Sequence, residues 1–369
     1  MTSLSQIALT FTPGLGNTSI RRLVELYPGE DIFSLPKSEL KAAFGNHQSV
    51  LDNILNKSGF SRAEEELRFC EHNHIRPLFF TDPDYPERLN RAETDDCPAL
   101  LYVLGSAKLN PKRSVAIVGT RRSTPYGRDN TDRLVRELKP YNTPIVSGLA
   151  YGIDTAAHTA ALSHGLPTIA VLGHGLDQIY PSQNRPLAKR IIEASGALVT
   201  EYPSGTAINP GYFPARNRII AALADATVVV EASEKGGALI TAAIAASYHR
   251  DVFAVPGRLT DTYSRGTNNL IATNRALLVR NADDIAFQLG WPLIGEQLKI
   301  NEIKEQPKLS RDEQTIVNIL KENDHLPLDE IATATSFPLP KTASILFNLE
   351  MSQLVRTLPG HLYQLINVE

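Results

Sequence analysis

Between about Arg76 and Trp291, short runs of apolar and β-branched residues recur, with helix-length segments between them. They fall at Val115 to Val118, Pro144 to Ser147, Thr168 to Leu172, Ala197 to Glu201, Thr227 to Glu231, Asp251 to Val255 and Leu277 to Arg280, after an extended lead-in at Pro77 to Phe80 and Leu100 to Leu104. Strands that are apolar along their whole length are covered on both faces. The alternation therefore predicts a doubly wound α/β domain around a parallel sheet, spanning 76–291. The residues before it, 1–75, read as short helices at Leu4 to Leu9, Ser19 to Leu26, Lys37 to Ala43, Gln48 to Leu55 and Ala63 to Glu71. After it, 292–309 is polar and reads as a linker. The stretch 310–369 reads as helices near Ser310 to Glu322, Leu328 to Ala334 and Pro340 to Leu349, then strands at Leu354 to Leu358 and His361 to Leu365 around Pro359-Gly360. Three helices followed by a hairpin predict a winged helix.

The chain's 369 residues, 42% of them hydrophobic, are enough for two or three domains with a sizeable core. A formal net charge of −3 rules out a generally basic protein, so any polyanion has to be held in a local positive pocket. Cys70 and Cys97 lack metal-ligand spacing and imply no disulfide framework. The first ten residues carry no export signal, and no apolar run reaches membrane-spanning length. A protein of the reducing cytosol, without a membrane or metal partner, is expected.

In an open parallel sheet, ligands sit beyond the carboxyl ends of the strands, so the loops after each strand should converge. Two arginine-bearing turns stand out. After Val118 come Gly119, Thr120, Arg121 and Arg122, where a glycine permits close approach and hydroxyl, N–H and guanidinium groups bind phosphate oxygens. The glycine spacing matches neither G-x-G-x-x-G nor the P-loop pattern, so neither dinucleotide binding nor P-loop ATP hydrolysis is supported. The second is Phe213-Pro-Ala-Arg-Asn-Arg218, placing an aromatic ring, Arg216, Asn217 and Arg218 at the start of a helix through Ile219 to Leu223. Taken alone, the segment also fits a surface salt bridge at an Asn-Arg helix start; the other arginine-bearing turn tips the reading toward an anion site.

Other loops add candidates of the same kind. Lys235, Gly236 and Gly237, with Thr241 behind them, open a helix with exposed N–H groups, although a helix-packing glycine pair fits as well. Arg185 is a rim cation, and Arg258, Arg265, Asn268 and Asn269 extend the cationic, amide-rich edge. Asp154 reads as a helix N-cap, while a metal site on Asp154 and His158 would need more ligands, for which His164 and His174 are the nearby candidates, and is disfavoured. Glu231 and Glu234 read as strand-end surface charges. The turn Thr12-Pro-Gly-Leu-Gly-Asn-Thr-Ser19 with Arg21 and Arg22 looks like half of a helix-hairpin-helix, or a simple αα-hairpin turn. No loop supplies a nucleophile with its base, or paired carboxylates. Gripping phosphates and stacking bases of a single strand fits this inventory better than cleaving it.

Ordered segments carry a resemblance: Pro13-Gly-Leu-Gly16, Tyr85-Pro-Glu-Arg-Leu89, Val118-Gly-Thr-Arg121 with Tyr126-Gly127, Ser147-Gly-Leu-Ala-Tyr-Gly-Ile-Asp154, Phe213-Pro-Ala-Arg-Asn-Arg218, Gly236-Gly-Ala-Leu-Ile-Thr241, and Val255-Pro-Gly257 with Gly266-Thr-Asn268. In this order the chain resembles the bacterial DNA-processing protein A (DprA/Smf) family over nearly its whole length. The resemblance implies a sterile-alpha-motif-like helical domain, an extended Rossmann domain and a winged helix. It also implies single-stranded DNA binding and protection, loading of the RecA recombinase in natural transformation, no cofactor, and a homodimer formed near Asn269 to Val279. Carried over by motif, Gly119, Thr120 and Arg121 would hold phosphates, Phe213, Arg216, Asn217 and Arg218 would line a nucleotide pocket, and Gly236, Gly237 and Thr241 would form its floor. The chain departs from the family at Lys235-Gly-Gly-Ala-Leu239, where many relatives have a serine in place of Gly237.

Two other functions are weighed. A nucleotide phosphoribohydrolase of the lysine-decarboxylase-like group needs a Pro-Gly-Gly-x-Gly-Thr-x-x-Glu loop, and no acid follows Gly236-Gly237 at the required place. A duplex-reading regulator needs a basic third winged-helix segment, and Pro340 to Leu349 carries only Lys341. That module is expected to act in protein interaction or as a weak accessory.

Overall fold

A computed structural model of the protein describes residues 2–44, 47–91, 97–292, 309–323, 325–352, 354–358 and 362–365. Two compact units result, Met1–Trp291 and Pro292–Glu369. Residues 293–308 of the expected 292–309 linker, the Pro359-Gly360 turn and His361 lie outside the described residues.

The first unit begins with helices α1 (Leu4–Phe11), α2 (Asn17–Leu26), α3 (Lys37–Phe44), α4 (Gln48–Leu55) and α5 (Phe60–His72). A reciprocal capping box between Ser3 and Gln6 starts α1. Apolar stripes bury Ile7, Ile20, Leu23, Leu51, Ile54 and Ala63 in one core that continues into the sheet domain. Polar contacts fasten the helices to that domain. Arg21 lies 4.5 Å over the Phe80 ring and donates to the carbonyl of Cys97 and the side chain of Asn90. Asn17 accepts from the N–H of Ala99. In the α1–α2 turn, read above as half of a helix-hairpin-helix or as a simple αα-hairpin turn, Asn17 and Arg21 are thus engaged with the protein itself.

The sheet domain runs β1 (Ile75–Phe79), α6 (Glu87–Asn90), β2 (Leu100–Gly105), β3 (Val115–Val118), α7 (Pro125–Leu138), β4 (Ile145–Ser147), α8 (Ile153–His164), β5 (Thr168–Val171), α9 (Arg185–Glu193) and β6 (Ala197–Thr200). It continues with α10 (Tyr212–Leu223), β7 (Ala226–Val229), α11 (Gly237–Ser247), β8 (Asp251–Ala254), α12 (Arg265–Ala272), β9 (Leu277–Leu278) and α13 (Ala282–Gln288). Among the described residues the order is β1-β2-β6-β5-β4-β3-β7-β8-β9, parallel from β6 to β9, with β2 antiparallel to both β6 and β1. Strands β3, β5, β6 and β7 are buried at every position, as expected for a sheet covered on both faces. Val115 of β3 pairs with Ile145 on one side and with Ala226 on the other. From β3 the chain winds outward one way through β4 to β6, then returns to wind the other way through β7 to β9. The crevice beyond β3 and β7 is the topological switch point, where this architecture places ligands.

The helices behind the two arginine-bearing turns have starts that are set locally. Helix α7 starts at Pro125 behind a Thr124 cap, because proline at the first position needs no N–H partner. Helix α10 starts at Tyr212, so the Phe-Pro-Ala-Arg-Asn-Arg segment lies within its first turns.

The second unit packs α14 (Arg311–Glu322), β10 (Leu326–Pro327), α15 (Leu328–Thr335), α16 (Leu339–Met351), β11 (Val355–Leu358) and β12 (Leu362–Leu365) around Ile316, Leu320, Ile331, Leu346 and Leu349. Its sheet order β10-β12-β11 completes a winged helix. Lys341 of α16 is ion-paired to Asp312 at 2.7 Å, while Leu339, Phe347 and Met351 of the same helix are exposed.

One buried carboxylate braces the sheet domain from the amino-terminal helices. Glu66 of α5 is buried, accepts from the N–H and hydroxyl of Ser204, and pairs with Arg62 at 2.8 Å. Arg62 in turn donates to the Ser204 carbonyl. Removing the carboxylate leaves a guanidinium and a loop N–H without their partner. Glu66→Ala is therefore expected to lower unfolding stability by about 3 kcal/mol in urea titration, whereas an exposed acid such as Glu64 changed to Ala shifts it by less than about 0.5 kcal/mol.

Candidate nucleic-acid interface

A cavity of about 230 Å³ opens at the switch point, walled by the β3–α7 loop, the first turns of α10 and the start of α11. The helical period explains the α10 wall. Phe213, Arg216, Asn217 and Ile220 stand at i, i+3, i+4 and i+7, hence on one face, and all four line the cavity.

Arg216 is the buried member, only 4% exposed. Its Nη1 donates to the carbonyl of Gly148 at 2.6 Å and also to that of Val171, tying α10 to the ends of β4 and β5. A side chain at residue 148 would collide with this guanidinium, since a Cβ there would lie 2.6 Å from Nη1. Burial pushes the Arg216 pKa down to about 10, against the pull of Asp154. The group thus remains a cation at neutral pH. Its Nε is buried and has no protein partner.

Arg121 faces the same space. Its guanidinium sits 5.8 Å from the centre of the half-buried Phe213 ring, whose other neighbour is Tyr180 at 5.4 Å. The turn beneath is rigid: Thr120 N–H donates to the Glu231 carbonyl at 2.7 Å, and the Thr120 carbonyl accepts from Ile153 N–H. Glycine is required at 119, where a Cβ would come within 2.5 Å of the Ile153 side chain. Across the cavity, Gly236 starts α11 without any side-chain cap, and Gly237, Ala238 and Thr241 line the wall. The positive end of the α11 dipole therefore points into the space. At Gly237 a Cβ meets nothing within 4 Å, so the serine of relatives would fit.

Asp154 is the carboxylate among the lining residues. It is buried in the first turn of α8, behind Gly152 as N-cap, and accepts from Ala150 N–H at 3.3 Å; the reading of Asp154 itself as the N-cap is corrected accordingly. Burial pushes its carboxyl up from the usual range, opposed by Arg216. Two guanidiniums and a helix N-terminus outweigh one carboxyl, so the cavity is net positive.

The remaining candidates lie elsewhere. Arg218, two residues from Arg216 and so on another face of α10, is locked bidentately to Glu201 at 2.6 and 2.7 Å. Asn268 spends its amide on both backbone groups of Gly257, at 3.1 and 2.9 Å, stapling the loop after β8. Arg122, Arg185 and Lys235 are exposed and do not line the cavity. Glu231 corrects the expectation of a surface charge: it is buried and accepts from the N–H and hydroxyl of Thr124. It holds the arginine loop onto α7. Ser233 and Asp154, absent from the sequence-based site, are further polar groups in the lining. His158 is fully buried, with Nδ1 2.7 Å from the Thr168 hydroxyl, and the described residues contain no group of His, Cys, Asp or Glu arranged to hold a metal ion.

The family model described as DNA recombination-mediator protein A matches residues 76–290, and the DprA winged helix domain model matches 304–361. Protein Smf from Synechocystis is 38% identical over 330 residues, covering 80% of this chain and 81% of that protein. Among solved structures, DNA processing protein A from Streptococcus pneumoniae is similar with a TM-score of 0.67 and 32% identity, over 77% of this chain and 97% of that one. DNA processing protein A from Helicobacter pylori, whose structure describes a single-stranded DNA binding mode, is similar with a TM-score of 0.52 and 33% identity, over 59% of this chain and 96% of that one.

Burial also sets a pH dependence. It pushes the His158 pKa from 6.5 down to about 3, with Arg216 adding to the effect. Between those values the unfolded chain binds the proton and the folded chain does not. His158 thus contributes stability that is full above about pH 6.5 and is lost as pH falls. From pH 7 to pH 5 the wild-type chain is expected to lose about 2 kcal/mol more unfolding free energy than His158→Gln, in urea titrations at both values. Asp154, raised, works in the opposite direction in both proteins and cancels from the comparison.

Proposed function

The chain belongs to the DNA recombination-mediator protein A family, and on that premise we propose that its sheet domain grips single-stranded DNA at the β3–β7 crevice, protects it, and helps load the RecA recombinase during natural transformation. The observation that carries this reading is the net positive cavity formed by Arg121, the buried Arg216, the Phe213 ring and the uncapped start of α11. Its chemistry matches a phosphodiester with an attached base: guanidiniums and N–H groups for the phosphate, a ring face for the base. In this assignment Gly119, Thr120, Arg121, Phe213, Arg216, Asn217, Gly236, Gly237 and Thr241 contact the strand. Arg122, Arg185 and Lys235 act as exposed rim cations, and Arg218 and Asn268 shape the site from behind. The single-stranded DNA binding of the Helicobacter pylori relative supports the ligand class. Recognition through phosphates predicts sequence-tolerant, salt-dependent binding.

We also propose a homodimer through the β9 edge of the sheet domain. Among the described residues, strand β9 is one of the sheet's two edge strands, its Leu277 and Leu278 are half-exposed, and Phe287 beside them is 76% exposed. An apolar, unpaired strand edge is a template for self-pairing.

Arg121→Ala is expected to weaken binding of an oligothymidylate about tenfold and to reduce the slope of log affinity against log salt by about 0.7, in fluorescence anisotropy titrations. Arg218→Ala should have a smaller effect, because that guanidinium is committed to Glu201. Unchanged affinity for Arg121→Ala would refute the site assignment. For the assembly, Leu278→Glu should halve the mass seen in sedimentation velocity, and an unaltered mass would remove the β9 interface. RecA filament growth on a strand precoated with single-strand-binding protein tests the last limb: no acceleration by the full chain would eliminate it.

A further inference from the structure

The exposed tyrosines of the sheet domain are not scattered. Tyr126, Tyr151 and Tyr180 are 46%, 42% and 44% exposed, and all lie in or just after the loops that follow β3, β4 and β5. Those strands are consecutive neighbours in the sheet, so the three loops share its carboxyl edge with the cavity, Tyr151 and Tyr180 reaching toward the β5 side and Tyr126 toward the β8 side. A large ring left in water ordinarily has a mobile side chain. Here each ring or its backbone is pinned. The Tyr126 hydroxyl donates to the Pro256 carbonyl at 2.6 Å, bridging to the loop after β8. The Tyr151 hydroxyl bonds the side chain of Gln183, bridging to the loop after β5. The Tyr180 N–H donates to His174 Nε2 at 3.2 Å, and its ring leans on Phe213.

Pinning through the hydroxyl, as at Tyr126 and Tyr151, keeps a half-exposed ring in place and removes side-chain freedom that a ligand would otherwise have to freeze out. Nothing in folding requires such rings to remain outside the core. Burial would gain more than exposure, so their position fits a surface meant to be covered by flat, sequence-diverse groups. We propose that Tyr126, Tyr151 and Tyr180 are stacking platforms for nucleobases, on which a single strand continues beyond the phosphate-gripping cavity along the carboxyl edge of the sheet, toward β5 on one side and toward β8 on the other. The inference rests on the single-strand reading of the cavity and adds the strand's path and a second, uncharged contribution to its binding.

Charge and stacking are separable by ligand chemistry. An abasic deoxyribose-phosphate strand keeps every phosphate and has no base to stack. Tyr151→Ala and Tyr126→Ala are each expected to reduce affinity for an oligothymidylate about tenfold, to leave the salt slope unchanged, and to leave affinity for the abasic strand unchanged. Tyr151→Phe and Tyr126→Phe, which keep the ring, should retain binding within about twofold. Equal loss on the normal and abasic strands would overturn the proposal in favour of a purely structural role, as would full retention of oligothymidylate binding by both alanine variants. The underlying reading fails separately: in that case Arg121→Ala would leave affinity for both strands untouched.

Discussion

The buried guanidinium of Arg216 is the contact on which the switch-point geometry depends. It closes the carboxyl ends of β4 and β5 by donating to the Gly148 and Val171 carbonyls, and it fixes the rotation of α10 about its axis. Once that rotation is set, the helical period carries Phe213 and Asn217 to the cavity and turns Arg218 toward Glu201. A buried cation is costly unless its donors are satisfied, and Nε has no protein partner. The cost is reduced by Asp154 and by the two carbonyls. A ligand anion in the cavity would lower it further, so the arrangement is stabilised most when filled.

Around that centre the fold supplies stiffness. Glu231 fastens the arginine loop to α7 through Thr124, and Asn268 staples the loop after β8 through Gly257. Glu66 reaches from the helical region to Ser204, in the segment leading from β6 into α10, where Tyr202 and Tyr212 stack at 4.4 Å. Each of these is a side chain satisfying backbone groups of a loop that has no regular partner. The binding edge is thus made of loops held at defined positions, which lowers the ordering cost of gripping a flexible strand.

Much of this was legible from the residue pattern, because buried parallel strands need continuous apolar runs and the turns between them need glycine. The strand order was not, since every run is equally apolar and none announces its neighbour. Arg216 and Arg218 look equivalent on the page. Their separation follows only from knowing that the segment is already helical, as residues two apart on a helix are about 200° apart. Had α10 been taken to start at Tyr212, the i, i+3, i+4, i+7 set Phe213, Arg216, Asn217 and Ile220 would have marked the wall directly. Glu231 was misread for a related reason: a carboxylate after a strand resembles a surface charge until the loop it caps is seen folding back over it. Asn268 carried the right chemistry for a ligand contact, but its amide is matched by the two polar groups of Gly257 at close range.

A chain with a formal charge of −3 holding a polyanion presents no conflict, because where the acids sit matters more than how many there are. Glu66, Glu201, Asp225 and Glu231 are each engaged by a guanidinium or by backbone N–H and hydroxyl groups at hydrogen-bond distance. Charges so paired project little field. Exposed acids elsewhere on the surface are screened beyond a Debye length of about 10 Å at 0.1 M salt. At the carboxyl edge the near field comes from Arg121, Arg216 and the start of α11, focused by the low-dielectric walls of the crevice. Local arrangement therefore reverses the sign that composition alone implies, and it does so at the place where the winding of the sheet opens a crevice.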